Sequence, residues 1–352
     1  MTRTRLVLSL LLVVVVAAGF VSRGARTAVA ESAAPVDSRT FEFVYQVHFP
    51  ATPGVAGPVH LWIPAPARTD SYQAPATSLS ITGDVKHAAG HDPEYGDEFI
   101  VFHPTPEQVA SGFDAGIRFT TTRKEYVALR DGVVVRKVSE TAPSPALLQR
   151  YLQPDKLVPL NGIIAELAKE QTAGANTPLE KARKIYDYVV STLRYDKSGE
   201  GWGRGDAVWA CDSKHGNCTD FHSLFIGMMR ASGIPARFEI GFPLPEGKTE
   251  DDIPGYHCWS EFYIQGMGWI PVDASEASKN PAKKDYFFGA LDVNRVLFTY
   301  GRDIRLSSDQ KGDPLNYFIY PYAEANGQPV KNIEKKFSFR EVSTPQRAAA
   351  GR

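Results

Sequence analysis

GNCTDFHSLFIGMMRASGIPARFEIGF, Gly216 to Phe242, is the stretch on which the reading of this chain turns. Asn217 is a good N-cap, and Asp220 stands three residues later, where a capping box needs an acceptor for the cap's own N–H. Cys218 then takes the first helical position. The unsatisfied N–H groups and the positive end of the helix dipole favour a thiolate there over a thiol. Phe221, His222, Phe225 and Met229 recur at i+3, i+4, i+7 and i+11 from the cysteine and predict the face that packs inward. Gly216, ahead of the cap, permits a close approach of neighbouring chain to the helix tip. The bland alternative is that Cys218 is a small buried hydrophobe, as many free cysteines are.

A second stretch, YHCWSEFYIQGMGWIPVDAS from Tyr256 to Ser275, favours the reactive reading. Alternation puts His257, Trp259, Glu261 and Tyr263 on one strand face and Cys258, Ser260, Phe262 and Ile264 on the other. Gly266 and Gly268 make a turn, GWIPV returns as a strand, and Asp273 ends it. A carboxylate at that place can fix the tautomer of His257 and stabilise its imidazolium while the imidazole takes the thiol proton.

Two other uses of the same residues stay open. Cys211, His215, Cys218 and His222 read C-x3-H-x2-C-x3-H, four ligand types that zinc accepts, although the spacing matches no common structural zinc module. The chain has three cysteines, Cys211, Cys218 and Cys258. A Cys211–Cys258 disulfide would leave Cys218 as the odd thiol.

The N-terminus is set aside before the fold is considered. Arg3 and Arg5, the apolar run Leu6 to Val21, and the A-x-A pattern Ala28 to Ala30 read as a signal peptide over residues 1–30. The alternative is an uncleaved membrane anchor. Without Met1 to Ala30 the chain holds 35 basic and 40 acidic residues, a formal charge of −5. It has no basic tract, so nucleic acid is not an expected partner.

Strict alternation in FEFVYQVHF, Phe41 to Phe49, predicts a half-buried strand. VHLWIP, FIVFHP and IRFTTTRKEYVAL have the same character, with Pro- and Gly-rich turns between them. Short strands without a helical period predict an all-β, sandwich-like region over 38–142. His48, His60, His87, His91 and His103 are scattered through it and read as ordinary surface or packed side chains. TPLEKARKIYDYVVSTL then begins a helix capped by Thr177, with Pro178 in its first turn and an apolar face from Ala182 to Leu193. Helix and strand alternate over 145–342. EANGQPV supplies a hairpin turn at Asn326-Gly327 with KKFSFREV as its return strand, and 343–352 reads as a disordered tail. The acids of Asp251 to Gly255 read as a solvated loop over the cleft.

Taken together, GNCTDFHSLFIGMMRASGIPARFEIGF and HCWSEFYIQGMGWIPVDAS resemble the transglutaminase-like superfamily, in particular its short exported bacterial members, over about residues 180–280. The later FFGALDVNRVLFTYGRDI is similar to the same proteins. The resemblance implies an α+β, papain-like core of helices packed on an antiparallel sheet, preceded by the β region. It implies Cys218 as nucleophile, His257 as general base and acid, and Asp273 as orienting carboxylate. The oxyanion would be held by the nucleophile's own N–H and a side-chain donor, for which Trp202 is preferred over Trp209. Asp220 matches a family position and is expected to cap the helix. The expected activity is hydrolysis of a peptide or isopeptide amide through a thioester, with no metal or other cofactor. The alternatives are a protein-glutamine acyltransferase and an idle binding or adaptor protein.

Overall fold

A computed structural model describes residues 37–55, 57–67, 72–130, 132–135 and 143–343. The expected signal peptide lies outside the described residues, as does the tail beyond its first residue. Among the described residues, no helix is long and apolar enough to cross a membrane.

The alternation at the N-terminus folds as read. The strand Ser38–Phe49 buries Phe41, Phe43, Tyr45, Val47 and Phe49 completely or nearly so. It is the centre of a five-stranded sheet, and its neighbours are Phe113–Lys124 on one side and Glu334–Glu341 on the other. Thr77–Thr82 and Glu250–Ile253 form the sheet's two edges. A second five-stranded sheet runs Gln328–Pro329, Tyr322–Ala325, Val59–Pro64, Glu98–Phe102, His87–His91. Leu61, Ile63, Ile100 and Phe102 join the first sheet's aromatics in one continuous core. On its other face, Trp62 and Phe99 are covered by Ile304, Leu306 and Phe318.

Several local readings need correction. Asn326-Gly327 is a hairpin turn, with both residues at positive φ (50° and 73°), but its return strand is Gln328–Pro329. KKFSFREV instead crosses to the other sheet and pairs antiparallel with the first strand, Phe43 opposite Phe339 and Tyr45 opposite Phe337. Alternation marks a strand but cannot name its partner. The acids near residue 251 lie on the edge strand Glu250–Ile253, paired with that same C-terminal strand, and not in a loop. A short helix, Pro106–Ser111, sits inside the β region behind a complete Thr105/Gln108 capping box. Strand pairing of Leu61 with Phe102 brings His60 and His103 together, Nδ1 to Nδ1 at 3.1 Å.

The part that follows is built on a four-stranded antiparallel sheet ordered Gly268–Val272, His257–Ile264, Ala236–Pro243, Arg295–Tyr300. The helix Cys218–Ala231 packs on it and is in turn covered by Gly162–Gln171, Pro178–Thr192 and Ala207–Ser213. Every residue from Cys218 to Arg230 is buried. The expected one-sided apolar face is therefore an enclosed helix, because helices and sheet surround it. Gly227 is what lets a neighbour in: a Cβ there would stand 3.2 Å from side-chain methyls of both Val158 and Ile164. Arg230, at the buried C-terminal turn, is satisfied by Asp155 Oδ2 at 2.7 Å and by the carbonyls of Gln153 and Ala236.

The two regions share a core. Phe43 packs on Phe242 and Phe298 of the antiparallel sheet at 5.2 and 5.4 Å, and Pro35–Arg352 clusters as one compact unit. A boundary between 142 and 145 is kept as our proposal for dividing them. Phe337 is the keystone of the junction, 4.6 Å from the Tyr45 ring and 4.4 Å from that of Phe242. Phe337→Ala is expected to destabilise the protein by about 3–5 kcal/mol. Equilibrium urea unfolding of the two proteins measures it, and a loss under about 1 kcal/mol would show that the last strand is not a structural member.

Candidate active site

The helix start is built as its sequence indicates. Asn217 Oδ1 accepts the Thr219 N–H at 3.0 Å, and Asp220 Oδ2 accepts the Asn217 N–H at 2.9 Å. Gly216 is required at this point, since a Cβ there would lie 2.4 Å from Asp220 Oδ2. Asp220 does more than cap. Its buried carboxylate also accepts the N–H groups of Gly203 (2.7 Å) and Gly205 (3.0 Å), in the loop that carries Trp202. Arg302 holds the same loop from the other side, donating to the carbonyls of Arg204 and Gly205. Gly199, Gly201, Gly203 and Gly205 all have φ between 63° and 94°, a path open to alternating glycines.

The hairpin brings His257 and Asp273 together. The pairing Ser260–Val272 sets the register, and His257 Nε2 meets Asp273 Oδ2 at 2.7 Å. With Nε2 committed to the carboxylate, Nδ1 is the nitrogen left for Cys218, whose thiol lies close enough to raise the His257 pKa. The three sequence-predicted residues are thus in one chain of contacts, at burial of 2% exposed for Cys218, 7% for His257 and 0% for Asp273.

Arg295, Ser275, Glu276, His222 and Cys258 complete the site, in places that the sequence reading did not give them. Arg295 Nη1 donates to Asp273 Oδ2 at 2.9 Å, while the rest of its guanidinium faces Asp292 and its plane lies 4.9 Å over the Trp259 ring. An arginine opening a mostly apolar strand, RVLFTY, was the available signal. Ser275 and the Glu276 N–H both donate to Asp273 Oδ1, each at 3.0 Å. His222 accepts the Ala274 N–H at Nε2 (3.1 Å), so its proton is on Nδ1 and goes to the Cys218 carbonyl at 2.7 Å. Cys258 lies beside both, its Sγ 3.8 Å from His222 Nδ1 and its thiol close enough to Cys218 to lower the Cys218 pKa.

Two open alternatives are now decided by geometry. His222 has both ring nitrogens engaged with backbone, and His215 faces Trp209, so the C-x3-H-x2-C-x3-H residues do not converge. Among the described residues the group that could hold a metal is His257, Asp273 and Glu276, whose ligand atoms lie within 4.8 Å of one another. Its carboxylates are already compensated by Arg295 and Lys279. All three cysteines are free, and the neighbours of Cys258 are Cys218 and His222, not Cys211.

The charges are matched for a thiolate–imidazolium pair. Burial pushes the Cys218 thiol up, but the neighbouring Cys258 thiol and the hydrogen bonding and charge of His257 outweigh it and hold the thiol well below its ordinary value. Burial pushes His257 down, and the adjacent Asp273 charge reverses this, so that it is pushed up to about 10. Burial would raise Asp273, but His257, followed by Arg295, keeps it ionised. Burial keeps His222 neutral.

Trp202 is half-buried on the pinned loop, with Lys197 Nζ 5.9 Å over its ring. Trp209 packs against His215. Tyr256 and Tyr317 add aromatic surface by the helix tip: Tyr256 receives a hydrogen bond from Asn217 Nδ2 (3.0 Å), and Tyr317 donates to the Gly203 carbonyl (3.1 Å). Tyr320, 5.7 Å from Tyr256, continues into a surface groove of about 420 Å³ lined also by Pro254, Lys335 and Phe337.

In folded protein, Cys218 is expected to be alkylated well below the ordinary thiol pKa of about 8.5, and His257→Ala is expected to move the profile up. The raised His257 pKa adds stability that is complete below about 6.5 and lost as pH rises through about 10, because the unfolded state then no longer binds the proton and the folded state gives it up. Peptide mass spectrometry of alkylated samples across pH measures the first. An unchanged profile in the variant would show that the pair is not coupled.

The chain is similar to known proteins in sequence and in fold. Residues 165–274 match the family model described as the transglutaminase-like superfamily, a span that ends one residue after Asp273. An uncharacterised protein of Haemophilus influenzae is 27% identical over 346 residues, covering 87% of this chain and 92% of its own. The uncharacterised YebA of Bacillus subtilis is 24% identical over 239 residues, 64% of this chain but 30% of YebA. A solved structure from Cytophaga hutchinsonii, provisionally named a cysteine protease, superposes with a TM-score of 0.58 at 17% identity, over 87% of this chain and 92% of that one. Residues 165–274 therefore carry a transglutaminase-like core, here accompanied by additional β-sheets whose strands come largely from the N-terminal region.

Proposed function

We propose that this chain is an exported thiol enzyme that cleaves peptide or isopeptide amides through a thioester on Cys218. The observation that carries the reading is the buried series Arg295–Asp273–His257–Cys218, in which a carboxylate fixes one imidazole nitrogen and leaves the other to the thiol. The Cys218 thiolate adds to the amide carbonyl carbon. The His257 imidazolium gives its proton to the departing amine nitrogen as the C–N bond breaks, leaving the acyl group on sulfur. Water then attacks the thioester, His257 taking its proton, and the carboxylic acid leaves as the thiolate reforms. The oxyanion is received by the Cys218 N–H, one of the unpaired N–H groups of a helix start, together with Trp202 from the pinned loop. Export rests on the N-terminal sequence pattern alone.

Hydrolysis is favoured over amine transfer because no built site for an acceptor amine accompanies the series in the described residues, and water is the acceptor that needs none. Incubation of reduced protein with a broad peptide library is expected to release free amines. Cys218→Ala should lower the rate by about 10³-fold or more, with the fold retained. Incorporation of a labelled amine in competition with hydrolysis would select the acyltransferase reading. Absence of both from alkylation-competent protein would select the binding reading.

A further inference from the structure

Cys258 has no part in the proposed acyl transfer, yet its thiol is wholly buried beside His222, whose Nδ1 donates to Cys218, and it acts on the Cys218 thiol. Its position is fixed twice over. It sits on the strand His257–Ile264 directly after the histidine, paired opposite Ile240, and its Sγ is 3.8 Å from His222 Nδ1. That nitrogen in turn is 2.7 Å from the backbone carbonyl of Cys218 itself. Two thiols from different elements therefore meet in one enclosed space, and neither is bridged. A wholly buried Ala or Val would fill the Cys258 position by packing alone. Nothing in the packing calls for a second sulfur.

From this geometry we propose that Cys218 and Cys258 are a reversible redox modification site, with peroxide as the class of co-reactant. The inference rests on the reading of Cys218 as a reactive thiolate. Cys218 is reached first, since it must admit substrate and Cys258 is sealed behind it. The thiolate attacks one peroxide oxygen and the O–O bond breaks. Sulfur is oxidised to the sulfenic acid, and hydrogen peroxide is reduced to water with uptake of one proton. The Cys258 sulfur then attacks the Cys218 sulfur, the S–O bond breaks, and the hydroxyl leaves with the Cys258 proton as a second water. The product is a Cys218–Cys258 disulfide. A dithiol reductant returns both thiols by exchange. The disulfide blocks catalysis but spares the sulfur from the sulfinic and sulfonic acids, which are not recovered. For a thiol enzyme working outside the reducing cytosol, this neighbour converts a terminal lesion into a pause.

The test uses reduced mature protein treated with graded hydrogen peroxide, followed by peptide mapping without reduction and by alkylation of Cys218. The expected wild-type result is a peptide joining Cys218 to Cys258, loss of Cys218 alkylation in proportion to it, and recovery of alkylation on adding dithiothreitol. Cys258→Ala, with folding checked by circular dichroism, is expected to gain two or three oxygens at Cys218 and to recover nothing. Should that variant not fold, the wild-type map decides alone. Sulfinic acid on wild-type Cys218 at the same dose with Cys258 still a free thiol, or a bridge to Cys211, overturns the proposal. The underlying reading fails separately: it is lost if reduced protein shows no low-pH alkylation and no amide cleavage, whichever peptides the peroxide joins.

Discussion

Asp273 is a fully buried carboxylate, and the site is arranged around the need to keep it ionised. An uncompensated charge there would cost several kcal/mol. The compensation is divided by oxygen. One oxygen takes His257 and Arg295, the other takes Ser275 and the Glu276 N–H at the start of a short helix. These partners come from three elements, so one charge ties together the hairpin strand of His257, the helix Ala274–Lys279 and the strand Arg295–Tyr300. The orientation of the imidazole is a by-product of solving that desolvation problem. The low thiol pKa follows in turn, since an imidazolium held by Asp273 is the main opposite charge available to Cys218.

A second buried carboxylate, Asp220, governs the opposite wall. Its partners are N–H groups and not charges, and they belong to the loop and to the cap residue of its own helix. Burial and the nearby Cys218 raise its pKa, while the three backbone donors pull it back. Arg302 meets the same loop through its carbonyls. The loop's polar backbone is thus satisfied on both sides by side chains that are themselves almost wholly buried. This is how a glycine-rich segment, costly to order in entropy, becomes a fixed part of the site.

What was legible in the sequence was local or had a period. The Asn217–Asp220 cap, the placement of Cys218, the alternation of Phe41 to Phe49 and the meeting of His257 with Asp273 each depend on spacings of a few residues or on one hairpin. What was not legible depends on partners far along the chain. Arg295 lies 22 residues beyond Asp273, and Arg302 reaches Ser223 across 79. Cys258 is on the strand face opposite to His257 by alternation, and it comes beside the helix start through His222, which it meets across 36 residues. The pairing of residue 339 with residue 43 follows from no local rule, because a strand's alternation gives its faces but not its neighbour.

That last pairing has a consequence for how the chain comes to be folded. The first strand is central in its sheet, and one of its two flanking strands is the last in the sequence. The backbone groups of Phe41 to His48 that face that strand have no partner until residues 334–341 arrive. Contacts of such sequence separation are slow to form. The edge strand Glu250–Ile253 pairs with that same closing strand, so the sheet's centre and one of its edges are completed by a single late event.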